Sequence, residues 1–350
     1  MQFRLIHQIP PTKGNPRNSE GSFLRGKQGE LLFAYSRYHG ESNHDHAACD
    51  VALITSTDEG ESWSEERLIA TADSFGTQNI MSVSAVEQQN GDLAFYFLIK
   101  ENDFSTTIGR TVSSDGITWR SERCDCRFPK NYYVINNDRF VRLSDGRLVA
   151  PAAFYSTEDN RLHAPVPMKV TLLCSFDDGK SFARCGQVLE VTNAPAWHHG
   201  YLEPGIIEYP DRLYLWMRTN LGRQYESIST TGLDGFFDPR PSEFTSPDAP
   251  MQIKCLGGVT YAIYNPIPEY NGRNAVPKSW GRTPLVLRTS LDGGKSWGAL
   301  QTLEEDPARG FCYPAITTTR DGCLLLAYCR GDAKDGNPLC RIGIAKVRMD

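Results

Sequence analysis

Ser56-Thr57-Asp58-Glu59-Gly60-Glu61-Ser62-Trp63 is the stretch whose reading decides the fold. Its pattern of Ser-x-Asp-x-Gly-x-x-aromatic returns as Ser175-Phe176-Asp177-Asp178-Gly179-Lys180-Ser181-Phe182 and as Ser290-Leu291-Asp292-Gly293-Gly294-Lys295-Ser296-Trp297. A form one residue shorter is Ser113-Ser114-Asp115-Gly116-Ile117-Thr118-Trp119, and a decayed one runs from Ser229 to Phe236. Successive copies lie about sixty residues apart, the spacing of stacked supersecondary units. Asp and Gly at the centre build a tight turn, Asp by bonding nearby N–H groups and Gly by taking a positive φ. The aromatic residue then tucks beneath the turn. The motif is therefore structural and belongs on outer turns, away from any site.

Working outward, short apolar runs flank these turns: Leu31–Tyr35, Leu93–Phe97, Leu148–Ala150, Leu213–Trp216 and Leu324–Tyr328. Most follow a Gly or Asp-Gly turn such as Asp145-Gly146 or Asp321-Gly322, which marks strands rather than helices. No stretch reads as a long amphipathic helix. Six units of this size predict an all-β protein, a six-bladed β-propeller forming one domain over residues 1–350. Residues 1–8 are expected to supply a strand that closes the last blade.

The composition sets outer bounds. Hydrophobic residues make up 40% of the 350, enough for a large core. The net charge of −5 comes without any long basic run, which argues against nucleic acid as a partner. No apolar run has the length of a membrane span. The first residues, Met1-Gln2-Phe3-Arg4, do not read as a signal peptide, so a cytoplasmic location is expected for the chain as given, or a secreted or periplasmic one after removal of a leader. The 10 cysteines lie mostly in strand-like runs such as Leu172-Leu173-Cys174, which reads as small hydrophobes in a reduced compartment rather than as a disulfide framework. Cys124-Asp125-Cys126 is too tight for a standard zinc pair, and His44-Asp45-His46 reads as a solvated loop, so neither metal nor organic cofactor is expected.

The repeated turn resembles the Asp box of the sialidase (neuraminidase) superfamily, and the resemblance covers nearly the whole chain. Sialidase chemistry needs arginines to hold a carboxylate beside the anomeric carbon. It uses a tyrosine nucleophile activated by a glutamate, with an aspartate as acid/base, an exception among glycosidases. Glu203-Pro204-Gly205-Ile206-Ile207-Glu208, followed by a run ending in Met217-Arg218, is similar to the family segment carrying that glutamate and an arginine. The resemblance thus implies Glu203 as base partner and Arg218 as carboxylate ligand. Arg282, ahead of the last Asp box, falls where another arginine of the cluster sits. Tyr313, in Phe311-Cys312-Tyr313-Pro314, falls where the nucleophile belongs.

In the first unit, Arg37 matches a further arginine, and Asp45 in the loop His39–His46 matches the acid/base aspartate, with Asp50 as the alternative. The family's opening Phe/Tyr-Arg-Ile-Pro is replaced by Arg17-Asn18-Ser19-Glu20-Gly21-Ser22-Phe23. Glu20 lies near the missing arginine's place, with Arg17 and Arg25 as neighbouring cations. An acidic residue there suits the hydroxyls of a different sugar better than a carboxylate. His198 and His199 are candidates for sugar contacts or acid/base work. Asn137 and Arg139, in the polar run Asn136–Arg139, either line the pocket or form a turn network.

The resemblance implies an exo-acting, retaining glycoside hydrolase that releases a terminal acidic, sialic-acid-like sugar from a glycan. Two alternatives stay open: a hydrolase or lyase acting on a uronate- or rhamnose-type glycan, and a non-catalytic glycan-binding propeller.

Overall fold

The computed structural model describes residues 1–155, 167–191, 199–267 and 279–349. Its first strand, β1 (Gln2–Ile9), belongs in space to the far end of the chain. Blade 1 is β2 (Asn18–Arg25), β3 (Leu31–Tyr38), β4 (Cys49–Ser56) and β5 (Arg67–Ala70). One turn of 3-10 helix (Ala72–Phe75) leads to blade 2: β6 (Ile80–Glu87), β7 (Leu93–Asn102), β8 (Ser105–Ser113) and β9 (Arg120–Arg123). Blade 3 gathers β10 (Asp125–Arg127), β11 (Tyr132–Val134), β12 (Val141–Arg142), β13 (Leu148–Tyr155), β14 (Lys169–Ser175) and β15 (Ser181–Leu189). Blade 4 is β16 (Leu202–Tyr209), β17 (Arg212–Arg218), β18 (Arg223–Ser229) and β19 (Arg240–Thr245). Blade 5 is β20 (Gln252–Leu256), β21 (Val259–Tyr264), β22 (Leu285–Ser290) and β23 (Gln301–Glu304). Blade 6 is β24 (Cys312–Thr318), β25 (Leu324–Cys329), β26 (Ile342–Arg348) and the returning β1.

The pairing of β1 with β26 runs antiparallel from Gln2 opposite Arg348 to Ile9 opposite Ile342, which closes the ring with the first strand, as the sequence led us to expect. The returning strand ties the start of the chain into the last blade and so fastens the ring, leaving each blade only short edges.

The core is a ring of apolar layers between neighbouring blades. Successive strand residues point to opposite sheet faces, so each blade feeds two layers. On β17, Leu215 faces blade 3 beside Val149 and Leu172, whereas Trp216 faces blade 5 beside Ile253 and Val286. Phe33, Leu325 and Ile344 fill the layer across the closure. Burying each large side chain of this kind contributes about 1.5–3 kcal/mol.

The Asp boxes key into these layers. Ser56 Oγ donates to Asp58 Oδ1 at 2.8 Å and accepts from Gly60 N at 2.8 Å. The boxes at Ser175 and Ser290 repeat both bonds within 0.1 Å. Trp63, Trp119, Phe182 and Trp297 each reach back to the layer shared with the preceding blade.

The cysteine expectation needs one correction. Cys174 and Cys185 form a disulfide across the β14–β15 hairpin, with Cα atoms 5.8 Å apart, while the other eight cysteines are free. The two are 11 residues apart with an Asp box between them, and only the hairpin's register brings them together.

A polar hub on the axis holds the ring. Asn137 Nδ2 donates to Gly21 O at 2.8 Å and Tyr313 O at 3.2 Å, joining blades 1 and 6. The Asp138 carboxylate accepts from Ser22 Oγ (2.7 Å), Lys254 Nζ (2.8 Å), Gln252 Nε2 (2.8 Å) and Ile316 N (3.3 Å). Arg139 donates to Met251 O at 2.6 Å, bonds Gln252 Oε1 and lies over the Trp216 ring. Three consecutive residues of blade 3 thus touch every other blade, Val83 O and Ser84 Oγ of blade 2 included. Of the two readings open for the run Asn136–Arg139, these contacts are those of a network; Asn137 and Arg139 are bound to protein rather than turned to an open pocket.

Candidate active site

The innermost strands of blades 1, 2, 4 and 6 share one irregularity. On β2 the pairing skips between Ser19 and Ser22, where β3 advances from Ser36 only to Ala34. The same extra residue occurs on β6 between Met81 and Ser84, on β16 between Leu202 and Gly205, and on β24 between Cys312 and Ala315. In each bulge the residue after the last paired one is left-handed: Glu20 (φ 54°), Ser82 (φ 63°), Glu203 (φ 45°) and Tyr313 (φ 55°). Asp138 on blade 3 is also left-handed, with φ 55°. Positive φ is uncommon for such residues and costs about 1–3 kcal/mol, so surrounding structure must hold it. A bulge re-aims a side chain that would otherwise alternate.

Glu203 and Tyr313 meet across the axis. The Tyr313 hydroxyl donates to Glu203 Oε1 at 2.8 Å, and Arg218 Nη1 donates to Glu203 Oε2 at 2.9 Å. Tyr313 is 9% exposed and Glu203 7%. Burial pushes the phenol above its ordinary pKa and the Glu203 carboxylate adds to the rise, outweighing the opposing pull of Arg282 and Arg218. The phenol is therefore protonated in the free protein, with a carboxylate at hand to take its proton.

Arg218 also donates from Nε to Asp248 Oδ1 at 2.7 Å. Asp248, in the turn Ser246-Pro247-Asp248-Ala249-Pro250 between blades 4 and 5, escaped the sequence reading, since no motif marks it. Arg282, 5% exposed, lies over the rings of Trp280 and Tyr313, and its Nη1 donates to Cys312 Sγ at 3.3 Å. Its Nη2 reaches the Asp248 carbonyl at 3.4 Å, its buried Nε has no partner, and among the described residues it makes no ion pair. This guanidinium has capacity left for an anion. His199 stands at the rim, 58% exposed, with Nδ1 3.8 Å from Asp248 Oδ2. His198 lies outside the described residues.

The first blade supplies a second cluster. Arg17 is buried, stacks on Tyr38 and donates from Nη1 to Asp45 Oδ1 at 2.6 Å. Its Nη2 is 3.7 Å from Glu20 Oε2. Of the two arginines flanking the replaced motif, Arg17 is the one beside Glu20; Arg25 instead pairs with Glu59 in an outer turn at 2.7 Å. The Asp45 side chain is 57% exposed. Partial burial pushes its carboxyl up, but Arg17, by charge and hydrogen bond, and Lys100 outweigh this and bring it down to about 2. Lys100 Nζ and Asn79 Nδ2 both hold the Asp45 carbonyl.

Two expected residues are not brought into either cluster. Arg37 donates from Nε to Glu66 Oε1 at 2.6 Å, beside the Tyr35–Glu66 bond near the outer strand β5. Asp50 accepts from Ala72 N at 2.8 Å and so ties β4 to the following turn. Among the described residues no group of three or more His, Cys, Asp or Glu side chains is arranged to hold a metal, and no helix is long and apolar enough to cross a membrane.

Comparison with known proteins fits this geometry to a family. Residues 29–326 match the model of the BNR repeat-like domain. No curated protein matches the sequence. A solved protein of unknown function from Dyadobacter fermentans superposes with a TM-score of 0.73 at 16% identity, covering 99% of both chains. A Hadza microbial sialidase gives a TM-score of 0.74 at 14% identity, over 96% of this chain and 66% of that one. The NanB sialidase of Streptococcus pneumoniae gives 0.70 at 14% identity, over 99% of this chain and 70% of that one. At such identities the likeness is one of fold. The match over most of the sequence, the Asp boxes and the six closed blades place this chain in the BNR repeat-like domain family, with the propeller fold of the sialidase superfamily.

Proposed function

We propose that the protein is an exo-acting, retaining glycoside hydrolase of sialidase type that releases a terminal acidic sugar from a glycan. The observation that carries this reading is the 2.8 Å bond from the Tyr313 hydroxyl to Glu203, with Arg218 holding the other Glu203 oxygen. In the first step Tyr313 Oη bonds to the anomeric carbon as the bond to the leaving oxygen breaks. Glu203 accepts the phenol proton, and a first-blade carboxyl protonates the leaving oxygen. Water then cleaves the tyrosyl link, and the phenol regains its proton from Glu203. A neutral phenol suits a substrate whose carboxylate would repel a carboxylate nucleophile. Arg282, with no ion pair among the described residues, is the natural partner for that carboxylate, and Arg218 adjoins it.

A second reading, hydrolysis of a different terminal sugar, is favoured by the charge balance. The carboxyl groups of Glu20 and Asp45 lie beside Arg17, and those of Glu203 and Asp248 beside Arg218, so a sugar rich in hydroxyls also finds partners. A panel of fluorogenic glycosides, sialosides included, separates the two. Ultraviolet absorbance of a new double bond identifies a lyase. Release of the fluorophore by wild type and its loss in Tyr313→Phe is the expected result. Activity undiminished in Tyr313→Phe rejects the nucleophile.

A further inference from the structure

We propose that Glu20, rather than the loop residue Asp45, protonates the leaving glycosidic oxygen, and that the Arg17–Asp45 pair positions it. The inference rests on the hydrolase reading and adds a catalytic residue to it.

Register carries the argument first. Glu20 occupies the bulge position that Glu203 and Tyr313 occupy on their own blades, with the same left-handed backbone. Equivalent backbones on blades arranged about one axis send their side chains toward the same central space. The Asn137 amide nitrogen bonds both Gly21 O, beside Glu20, and Tyr313 O, so the two strands are held side by side where these residues emerge.

Partnering carries it second. Glu20 is 5% exposed, and its Oε2 has no hydrogen-bond partner. Arg17 Nη2, the nearest cation, lies at 3.7 Å and is likewise unbonded. The Arg17 charge is committed to Asp45 through the 2.6 Å bond from Nη1. A buried carboxyl with a free oxygen is one that keeps a proton to donate; a carboxylate locked to a guanidinium is one that has lost it. The remaining charged groups facing Glu20 are Lys100 and Glu203, with the phenols of Tyr38, Tyr132 and Tyr313 about it. In sum, burial dominates and lifts Glu20 to about 7, against about 2 for Asp45. A donor near neutrality is the favourable case for acid catalysis.

The step balances. As the anomeric C–O bond breaks, its electron pair goes to the leaving oxygen, which takes the Glu20 proton. In the second step the Glu20 carboxylate takes a proton from the attacking water and is restored.

Two measurements test this. The first labels glutamate carboxyls with carbon-13 and follows their resonances with pH. The signal missing from Glu20→Gln is expected to titrate within about one unit of neutrality in wild type; titration below about pH 5, the ordinary range, overturns the proposal. It needs no substrate. The second compares 4-methylumbelliferyl sialoside, whose leaving group needs little protonation, with 3′-sialyllactose, whose leaving group needs much. Glu20→Gln is expected to lose about 10²–10⁴-fold on the lactoside and under about tenfold on the aryl substrate. Asp45→Asn should slow both by a similar factor. The leaving-group split appearing in Asp45→Asn instead overturns the assignment while leaving Tyr313 and Glu203 standing. Failure of the hydrolase reading itself would show separately, as no sugar released by wild type from any glycoside of the panel.

Discussion

Replacing Asp138 by alanine should destabilise the whole ring and loosen the site together. Its carboxylate is nearly fully buried and takes bonds from blades 1, 5 and 6. Breaking a buried charge pair by deleting one partner costs about 3–5 kcal/mol, and each buried donor left bare about 1–3 kcal/mol. Lys254 is 34% exposed, so water softens its loss, and Gln252 Nε2 keeps its 2.8 Å bond to the Asp138 carbonyl, whereas the buried Ile316 N–H and Ser22 hydroxyl lose their carboxylate partner. A total near 4 kcal/mol follows from these two ranges, and Asp138→Asn, which keeps the shape and one acceptor, should cost about half. With an unfolding entropy of about 2.1 cal/mol/K per residue, 4 kcal/mol lowers the Tm of a 350-residue domain by about 5 °C. The assay is calorimetric or fluorescence melting of wild type and both variants at one scan rate, with turnover measured at 25 °C. Because Ile316 N lies on the strand that presents Tyr313, kcat should fall more than KM rises. A Tm shift below 1 °C for Asp138→Ala would show that the hub is dispensable and would refute the reasoning.

Three further outcomes follow from the same geometry. Tyr313→Phe and Glu203→Gln should each lower kcat by about 10³-fold or more with little change in KM, since both act on the reacting bond; steady-state kinetics on the responsive glycoside checks this, and a pure KM effect would assign them to binding. Arg282→Met should weaken a carboxylate-bearing substrate about 30–100-fold relative to an uncharged glycoside, the worth of one charge-assisted hydrogen bond; an equal loss on both would remove Arg282 from the anion site. Glu20 should also make stability depend on pH. Its folded pKa of about 7 lies above the ordinary glutamate value of 4.5, so the folded state holds the proton more tightly. The contribution, about 3 kcal/mol, is present below pH 4.5 and disappears as pH rises through 7. Melting temperatures from pH 4.5 to 8 should thus turn against wild type relative to Glu20→Gln, and a constant difference between the two would contradict the burial argument. Asp45 has the opposite sign and a separate window, its contribution being lost only as pH falls through about 2.

The repeat made the architecture legible because an Asp box carries its own hydrogen bonds. Ser56, Asp58 and Gly60 bond one another within five residues, so their spacing reveals the turn, and the turns count the blades. The identities of Glu203, Arg218, Arg282 and Tyr313 were legible only through resemblance, and the structure brings these four together. What sequence could not show is set by register between strands. Nothing local says that Glu20, Ser82, Glu203 and Tyr313 occupy matched bulges, for none is a residue that favours positive φ. The polar run at Asn137–Arg139 reads equally as pocket or network until its partners, more than 100 residues away in blades 1, 5 and 6, are known. Arg37 looks like a cluster arginine by position, but the Glu66 carboxylate beside β5 claims it.

The bulges also explain why chemistry and core coexist on the same strands. An inner strand with unbroken alternation would send every side chain into one of the two apolar layers beside its blade. On β24, Ala315 enters the layer with blade 1 and Ile316 the layer with blade 5. On β16, Ile206 and Ile207 divide the same way between blades 3 and 5. A glutamate or tyrosine hydroxyl in either layer would be a buried polar group without water, at a cost of several kcal/mol. The extra residue breaks the alternation once per strand and frees a single side chain from both layers. Its left-handed backbone is the strain that this requires, about 1–3 kcal/mol at each position, and the packed layers and the Asn137–Arg139 hub are what hold it. Relaxing the bulge by deleting one residue, Gly21 for example, should therefore return Glu20 to an apolar layer. That deletion should abolish the near-neutral titration and lower the Tm at once; a stable variant that kept the titration would show that the bulge does not aim the side chain.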